Sequence, residues 1–276
     1  MPRPPDNPAG RLLSILERAV SLDQEWKQKS ARESWAQVLE INPNDAPSVL
    51  RGIANVVNLP ADITDAVKKL KGLDPKNLIG WIPKFLEPWS QMNLDVQFGG
   101  FMKTVDETML SLLRICDDLL RNQAPEPIAP EEQLKQIHID VVSLATEIAA
   151  ADIEENLKEY LLHFLTIIEV AISDYRVKGF KSLKAGLEQC VGALRVNRGH
   201  RNDLETSIGK RVLSVLTVYA LLVASVADSL QIPHEVAEYL PNASHNQKES
   251  AHLKHGNAGD HQSGDPSQQS LSASHN

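Results

Sequence analysis

One stretch of this 276-residue chain is far more apolar than the rest. Residues 212–227 read VLSVLTVYALLVASVA and contain no charged side chain. Lys210 and Arg211 stand directly before this stretch, and Asp228 follows it. A helix that is apolar on every face must be surrounded by other helices or by lipid. The surroundings of this helix therefore constrain both the fold and the function.

The length of the stretch favours a core helix over a membrane span. A span needs about 20 apolar residues to cross about 30 Å of hydrocarbon. Residues 212–227 reach only about 24 Å as a helix, and a longer span would bury Asp228 at a high cost in free energy. The preceding basic residues nevertheless have the distribution found beside membrane spans. We expect a buried bundle helix and keep membrane association as the alternative.

Helical periodicity elsewhere predicts an all-α protein. Apolar residues recur every three or four positions from residue 9 to residue 122, and again from residue 131 onward. No segment alternates apolar and polar residues for long enough to predict a strand. Prolines and capping residues divide the first region into a cluster of short helices. The second region predicts four longer helices with short connections, as in a four-helix bundle.

Local signals predict where several helices begin. Ser30 with Glu33 and Thr104 with Glu107 have the spacing of capping boxes. Pro60 has the character of a first-turn residue and predicts a new helix at that point. Residues 93–101, NLDVQFGGF, are expected to be non-helical, and residues 202–205 are expected to cap the central apolar helix.

The proline-rich stretch QAPEPIAP at residues 123–130 is the strongest internal boundary. The final residues of the chain, rich in Ser, His, Asn and Gln, cannot bury enough apolar surface to offset their conformational entropy, so disorder is expected there. The predicted organisation is a flexible N-terminus at 1–8, an N-terminal helical domain at 9–122, a linker at 123–130, a C-terminal helical bundle at 131–234 and a disordered tail at 235–276.

A basic block precedes the apolar stretch, although the whole chain has a net charge of −8. Residues 176–211 contain nine Lys/Arg and three Asp/Glu side chains, a local charge of +6. Such a block can be a solvated face, or it can contact an acidic protein or an anionic lipid surface. The acidic chain and the lack of interleaved aromatic residues argue against sequence-specific nucleic-acid binding. The candidate contact residues are Arg176, Lys178, Lys181, Lys184, Arg195, Arg198, Arg201, Lys210 and Arg211.

Residues 33–57 have the outline of a helix-turn-helix around Asn42-Pro-Asn-Asp45. A recognition helix needs side chains that reach phosphates and base edges. The second helix here offers Arg51 and Asn55 and little else. We therefore expect a packing unit rather than a DNA-binding motif.

The sequence contains no enzyme, metal or cofactor motif. It lacks a phosphate-binding GxxxxGK[ST], a dinucleotide-binding GxGxxG, a nucleophile elbow GxSxG, an HExxH and paired CxxC motifs. Five of its nine histidines lie in the predicted tail, which lacks the supporting contacts that a metal site needs. Cys116 and Cys190 are expected to be buried thiols. No cofactor is predicted.

These features predict a non-enzymatic intracellular interaction or regulatory protein with a protein partner. The N-terminus has no apolar segment typical of a secretory signal, so a cytoplasmic location is expected. One alternative is a protein at the inner or plasma membrane, anchored by residues 212–227 with the basic block at the lipid surface. Another is an enzyme whose helical active site carries no sequence motif.

Overall fold

The structure is a computed structural model that describes residues 6–72, 74–91, 93–196 and 203–227. These residues form twelve α-helices, short 3-10 turns and one isolated antiparallel bridge between Ser30 and Gln97, and they contain no strand. The prediction of an all-α protein is confirmed. Residues 1–5 and the tail predicted at 235–276 lie outside the described part of the chain.

Eight helices enclose a first hydrophobic core. Helix α1 is its centre, because its buried residues lie on nearly all sides of the helix and it packs against four other helices. Trp35 stacks edge-on against Phe98 and also contacts Trp89, which adds an aromatic cluster to the aliphatic core. The helices are α1 (Pro8–Ser21), α2 (Gln24–Gln28), α3 (Ala31–Leu39), α4 (Ala46–Val67), α5 (Pro75–Ile79), α6 (Ile82–Leu86), α7 (Phe98–Met102) and α8 (Glu107–Gln123).

Four longer helices enclose a second core. Each carries an apolar stripe at helical spacing, and the four stripes meet in the interior. Helix α10 is central, because it packs against all three of the others. The helices are α9 (Glu131–Ala150), α10 (Glu155–Lys178), α11 (Phe180–Val196) and α12 (Ser207–Val226).

One predicted capping box is confirmed and the other is wrong. The Ser30 hydroxyl accepts from the backbone N–H of Glu33, whose carboxylate accepts from the backbone N–H of Ser30. At the start of α8 the cap is Asp106, which accepts from the backbone N–H of Met109 at 2.9 Å. A carboxylate at this position satisfies the first free N–H groups. The Thr104 hydroxyl donates instead to a backbone carbonyl in α7.

Pro60 does not begin a helix, because α4 continues through it. A proline inside a helix removes one backbone hydrogen bond and costs about 3 kcal/mol. The ring of Pro60 is buried, as are Val56, Leu59 and Ile63 around it. The apolar burial of this face offsets the missing hydrogen bond and keeps the helix continuous.

Two other local expectations also differ from the structure. Within the stretch 93–101, expected to be non-helical, residues 98–101 lie in α7, because Phe98 and Phe101 pack into the aromatic cluster of the first core. Helix α12 is capped by Thr206, whose side chain accepts from the backbone N–H of Gly209 at 3.0 Å. Residues 203–205 form a 3-10 turn before this cap.

The proline-rich segment between the cores is held by two backbone N–H groups, which donate to residues on either side of it in the chain. The backbone N–H of Glu126 donates to the carbonyl of Asp6 at 2.6 Å. The backbone N–H of Ala129 donates to the Tyr175 hydroxyl at 2.8 Å, and Ala129 is buried. Val177 of α10 belongs to the first core. The helices on either side of this segment therefore pack against each other as well as around their own cores.

Candidate interaction surface

The structure divides the predicted basic block into two groups at opposite ends of α11. This helix has 17 residues, so its ends are about 25 Å apart. The first group surrounds the turn between α10 and α11 and contains Arg176, Lys178, Lys181 and Lys184. The second group lies where α11 ends and α12 begins and contains Arg195, Lys210 and Arg211. Arg198 and Arg201 lie outside the described residues.

Carboxylates neutralise the first basic group. Arg176 pairs with Glu40 at 2.5 Å, and Lys181 pairs with Asp62 at 2.8 Å. Glu40 is the C-cap residue of α3 and Asp62 lies on α4, so both carboxylates come from the part of the chain around the first core. Lys178 pairs with Asp174 at 2.9 Å, and Lys184 lies 3.9 Å from Glu188. These cations therefore act mainly within the molecule, where two of them connect helices of the two cores.

A buried charged residue joins the two cores beside this group. The Arg11 side chain is 5% exposed. Two of its guanidinium nitrogens donate to the two carboxylate oxygens of Glu126, at 2.6 and 3.3 Å. Its Nε also donates to the carbonyl of Val177 at 2.8 Å. This contact was not predicted from the sequence. One available signal was the position of Arg11 on α1, four residues before the buried Ile15 and so on the apolar face.

A second buried polar contact fixes the start of α1. Asn7 is fully buried, accepts from the backbone N–H of Gly10 and donates to the Asp117 carboxylate at 2.7 Å. Asp117 also receives a hydrogen bond from Arg121 at 2.7 Å. Asp6 is 2% exposed. The N-terminal segment expected to be flexible is therefore packed from Asp6 onward, because Asn7 serves as the helix cap.

One face of α12 forms part of the second core. The Tyr219 hydroxyl donates to the carbonyl of Leu183 at 2.6 Å, and burial raises the pKa of this tyrosine well above its ordinary range. Gly186 lies against the same hydroxyl, where a Cβ atom would come within 2.7 Å. The buried residues of α12 are Gly209, Val212, Leu216, Tyr219, Ala220, Leu222 and Val223.

The opposite face of α12 is open to solvent. Val218 is 49% exposed and Leu221 is 43% exposed, with the exposed Ser214 and Ser225 on either side. The expectation that neighbours would surround the helix is therefore not met on this face. The physical reason is in the sequence, because two of the polar residues of the apolar stretch, Ser214 and Ser225, fall on one side at helical spacing.

Helix α12 also meets the length and composition of a membrane span. It is the one helix in the described ranges that does so, with a mean hydropathy of 1.5 over its most apolar window, of which 39% is buried. Core helices of soluble proteins meet the same criteria. The composition of α12 alone therefore does not distinguish a membrane span from a core helix.

A shallow groove runs between α9 and α12 beside the open face. It has a volume of about 240 Å³ and is lined by polar and apolar side chains. Arg211 lines the groove and pairs with Glu147 of α9, an interaction that holds the pKa of this carboxyl below its ordinary range. The lining residues are Asp140, Ser143, Leu144, Arg211, Ser214 and Val215.

Together these features define one surface, here called the α12 surface. It consists of the exposed apolar pair on α12, of two cations about two turns before Val218 on the same helix, and of Ser214 between them. Lys210 is exposed and has no acidic partner among the described residues. Glu147, the partner of Arg211, is itself 51% exposed. The α12 surface comprises Lys210, Arg211, Ser214, Val218 and Leu221.

The two thiols lie in the cores. Burial raises the pKa of Cys116 to about 11 and the pKa of Cys190 to about 12. Both are therefore protonated near neutral pH, whereas a nucleophilic cysteine must be a thiolate. Across the described ranges, no three His, Cys, Asp or Glu side chains are grouped closely enough to hold a metal ion.

No protein-family model matches this chain, and no curated protein or solved structure matches it either. The function is therefore inferred from the surfaces of the molecule and their chemistry. The α12 surface combines exposed apolar side chains, available cations and an adjoining groove.

Proposed function

We propose that the protein is a non-enzymatic intracellular interaction protein that binds a partner protein through the α12 surface. The observation that carries this proposal is the exposure of Val218 and Leu221 on the most apolar helix described, with Lys210 and Arg211 at one end of the same face. Protein interfaces typically combine apolar anchor residues with neighbouring charged groups that can form ion pairs with the partner protein.

The chemistry of the surface defines the kind of partner. Positions 211, 214, 218, 221 and 225 follow the i, i+3, i+4 spacing of one helix face, which suits the docking of a second amphipathic helix along the groove. The partner's apolar residues would cover Val218 and Leu221. Its acidic residues would face Lys210 and Arg211. Glu147 is the one carboxylate paired with either of these two cations among the described residues, and it pairs with Arg211.

Membrane association is the second candidate, and the apolar composition of α12 favours it. Insertion of α12 as a span would remove Leu216, Tyr219 and Val223 from the second core. Each large apolar side chain taken from a core costs about 2 to 5 kcal/mol of stability. A partner that covers the open face leaves this core intact, and this difference supports the protein partner.

Site-directed crosslinking in the native host tests the proposal. A photo-reactive amino acid in place of Val218 should form an adduct with one partner protein. The adduct should disappear when Lys210 and Arg211 are both changed to Glu. The same photo-reactive group in place of Ile115, which is 47% exposed on α8, is the matched control and should form no such adduct.

Three other outcomes of this crosslinking experiment would contradict the proposal. Adducts with lipid alone at position 218 would establish the membrane alternative. Adducts with a second copy of this chain would identify the face as a site of self-association. Equal adducts at positions 218 and 115 would mean that the α12 surface has no specific partner.

A further inference from the structure

The chain that follows α12 has the chemistry needed to cover the open face of that helix. Residues 228–240 read DSLQIPHEVAEYL, directly after the last described residue of the C-terminal half. Pro233 stands at a position that predicts a helix start, and Ile232, Val236 and Leu240 recur at a spacing of four. The same stretch carries three carboxylates, Asp228 directly after α12 and Glu235 and Glu238 further along.

The segment is long enough to return along α12. From Ala227 back to Arg211 the helix rises about 24 Å. Five extended residues followed by two helical turns span about 28 Å. With that geometry Leu230 and Ile232 reach the level of Leu221 and Val218. The carboxylates of Glu235 and Glu238 then reach the level of the cations at the start of α12.

We propose that residues 228–240 fold back onto the α12 surface when no partner is bound, and that the partner must displace them. This inference rests on the proposed function, since it assigns a regulation to the same surface. The segment presents apolar and acidic groups in the arrangement required of the partner. The protein would thus inhibit its own interaction surface.

The tether favours this occupant over a second copy of the chain. A segment joined to α12 by one residue has an effective concentration of about millimolar or higher at that face. A stable dimer buries roughly 1,200 to 2,000 Å² in total. Two half-exposed apolar side chains on one helix provide a small patch by that standard, which suits an intramolecular contact.

Thiol labelling of the purified full-length chain tests the inference. Val218→Cys and Ile115→Cys place a reporter thiol at positions of similar exposure, 49% and 47%. The native thiols provide little background, because both are buried and their pKa values are about 11 and 12. We expect the thiol at position 218 to react about tenfold more slowly with a maleimide than the thiol at position 115.

A change in the covering segment should remove this protection. Ile232→Asp combined with Val236→Asp should raise the rate at position 218 to that at position 115 and leave the rate at position 115 unchanged. Leu253→Asp, a similar change in the tail outside residues 228–240, is the matched control and should have no effect.

Every other pattern overturns the inference. Equal rates at positions 218 and 115 in the unmodified background would mean that nothing covers the face. If labelling at position 218 were slow but became fast on dilution, a second copy of the chain, and not residues 228–240, would cover the face. Slow labelling that survives both dilution and the double change would exclude residues 228–240. Because the purified sample contains neither partner nor lipid, this result is independent of the crosslinking result that tests the proposed function.

Discussion

The guanidinium of Arg11 and the carboxylate of Glu126 form a two-pronged ion pair where the two cores meet, with N–O distances of 2.6 and 3.3 Å. Arg11 comes from the central helix of the first core, and Glu126 comes from the proline-rich segment between the cores. The third donor of the guanidinium reaches the carbonyl of Val177 near the end of α10. One side chain thus links three parts of the chain.

Loss of the Glu126 charge should destabilise the protein strongly. Glu126→Gln leaves the Arg11 guanidinium buried without a counter-charge, which costs about 3 kcal/mol or more. The measurement is the free energy of unfolding in urea. Asp62→Asn is the control, because its partner Lys181 is 70% exposed and such a pair contributes less than about 1 kcal/mol. Equal losses for the two variants would contradict the role given to Arg11.

The close approach of Gly179 to Arg11 gives a second prediction. Gly179 has a φ of +65°, and a Cβ atom there would lie 2.6 Å from Cζ of Arg11 and 2.7 Å from the Glu126 carboxylate. Gly179→Ala should therefore add a steric clash to the backbone strain and lower the free energy of unfolding by more than about 3 kcal/mol.

Gly72→Ala is the matched control for this substitution. Gly72 has a φ of +78°, but a Cβ atom there meets nothing within 4 Å. Its replacement should cost only the backbone strain, about 1 to 2 kcal/mol. If the two alanine variants lost the same stability, the contact between Gly179 and Arg11 would not be as tight as described.

Some local interactions were predictable from the sequence, and contacts between distant residues were not. The Ser30–Glu33 capping box depends on residues only three positions apart. The Arg11–Glu126 pair joins residues 115 positions apart, which no local pattern encodes. Pro60 also illustrates the limit, because burial of the surrounding apolar residues overrides a local signal for a helix start.

The candidate site was predictable only in part. The apolar stretch and the basic block were recognised from the sequence. The solvent-facing side of α12 was not predicted, although Ser214 and Ser225 fall on one side at helical spacing. The division of the block could not be seen in the sequence. It depends on the antiparallel packing of α10, α11 and α12, and on acidic partners such as Glu40 and Asp62 that lie far away along the chain.

The pair between Arg176 and Glu40 predicts a pH dependence of stability. The hydrogen bond and positive charge of Arg176 hold the pKa of Glu40 below its ordinary value of 4.5. A carboxyl whose pKa is lower in the folded state stabilises the protein above pH 4.5, and this contribution is lost as the pH falls through the folded pKa. Arg18 also contacts Glu40 and retains part of the shift.

Urea unfolding of the Arg176→Gln variant over a range of pH measures this contribution. The difference in free energy of unfolding between the unmodified protein and the variant should be constant near neutral pH and should shrink below pH 4.5. A difference that stayed constant into acid would show that Arg176 stabilises the protein by packing rather than through the charge of Glu40.

The native thiols should resist modification in the folded protein. Cys116 and Cys190 are both fully buried, and their raised pKa values of about 11 and about 12 leave almost no thiolate at pH 8. We expect a thiol reagent to modify neither cysteine under native conditions and both in denaturant. Rapid modification of either thiol in the native protein would contradict its burial.

Paired lysine substitutions at neighbouring positions of α12 test most directly whether this helix buries one face and offers the other to a partner. Leu222 is 4% exposed and Leu221 is 43% exposed. Leu222→Lys should lower the free energy of unfolding by more than about 3 kcal/mol, because it places a charge in the second core. Leu221→Lys should leave stability within about 0.5 kcal/mol and should abolish the crosslink at position 218. If both variants unfolded the protein equally, or if both released it from membranes with its stability unchanged, α12 would not be the two-faced helix described.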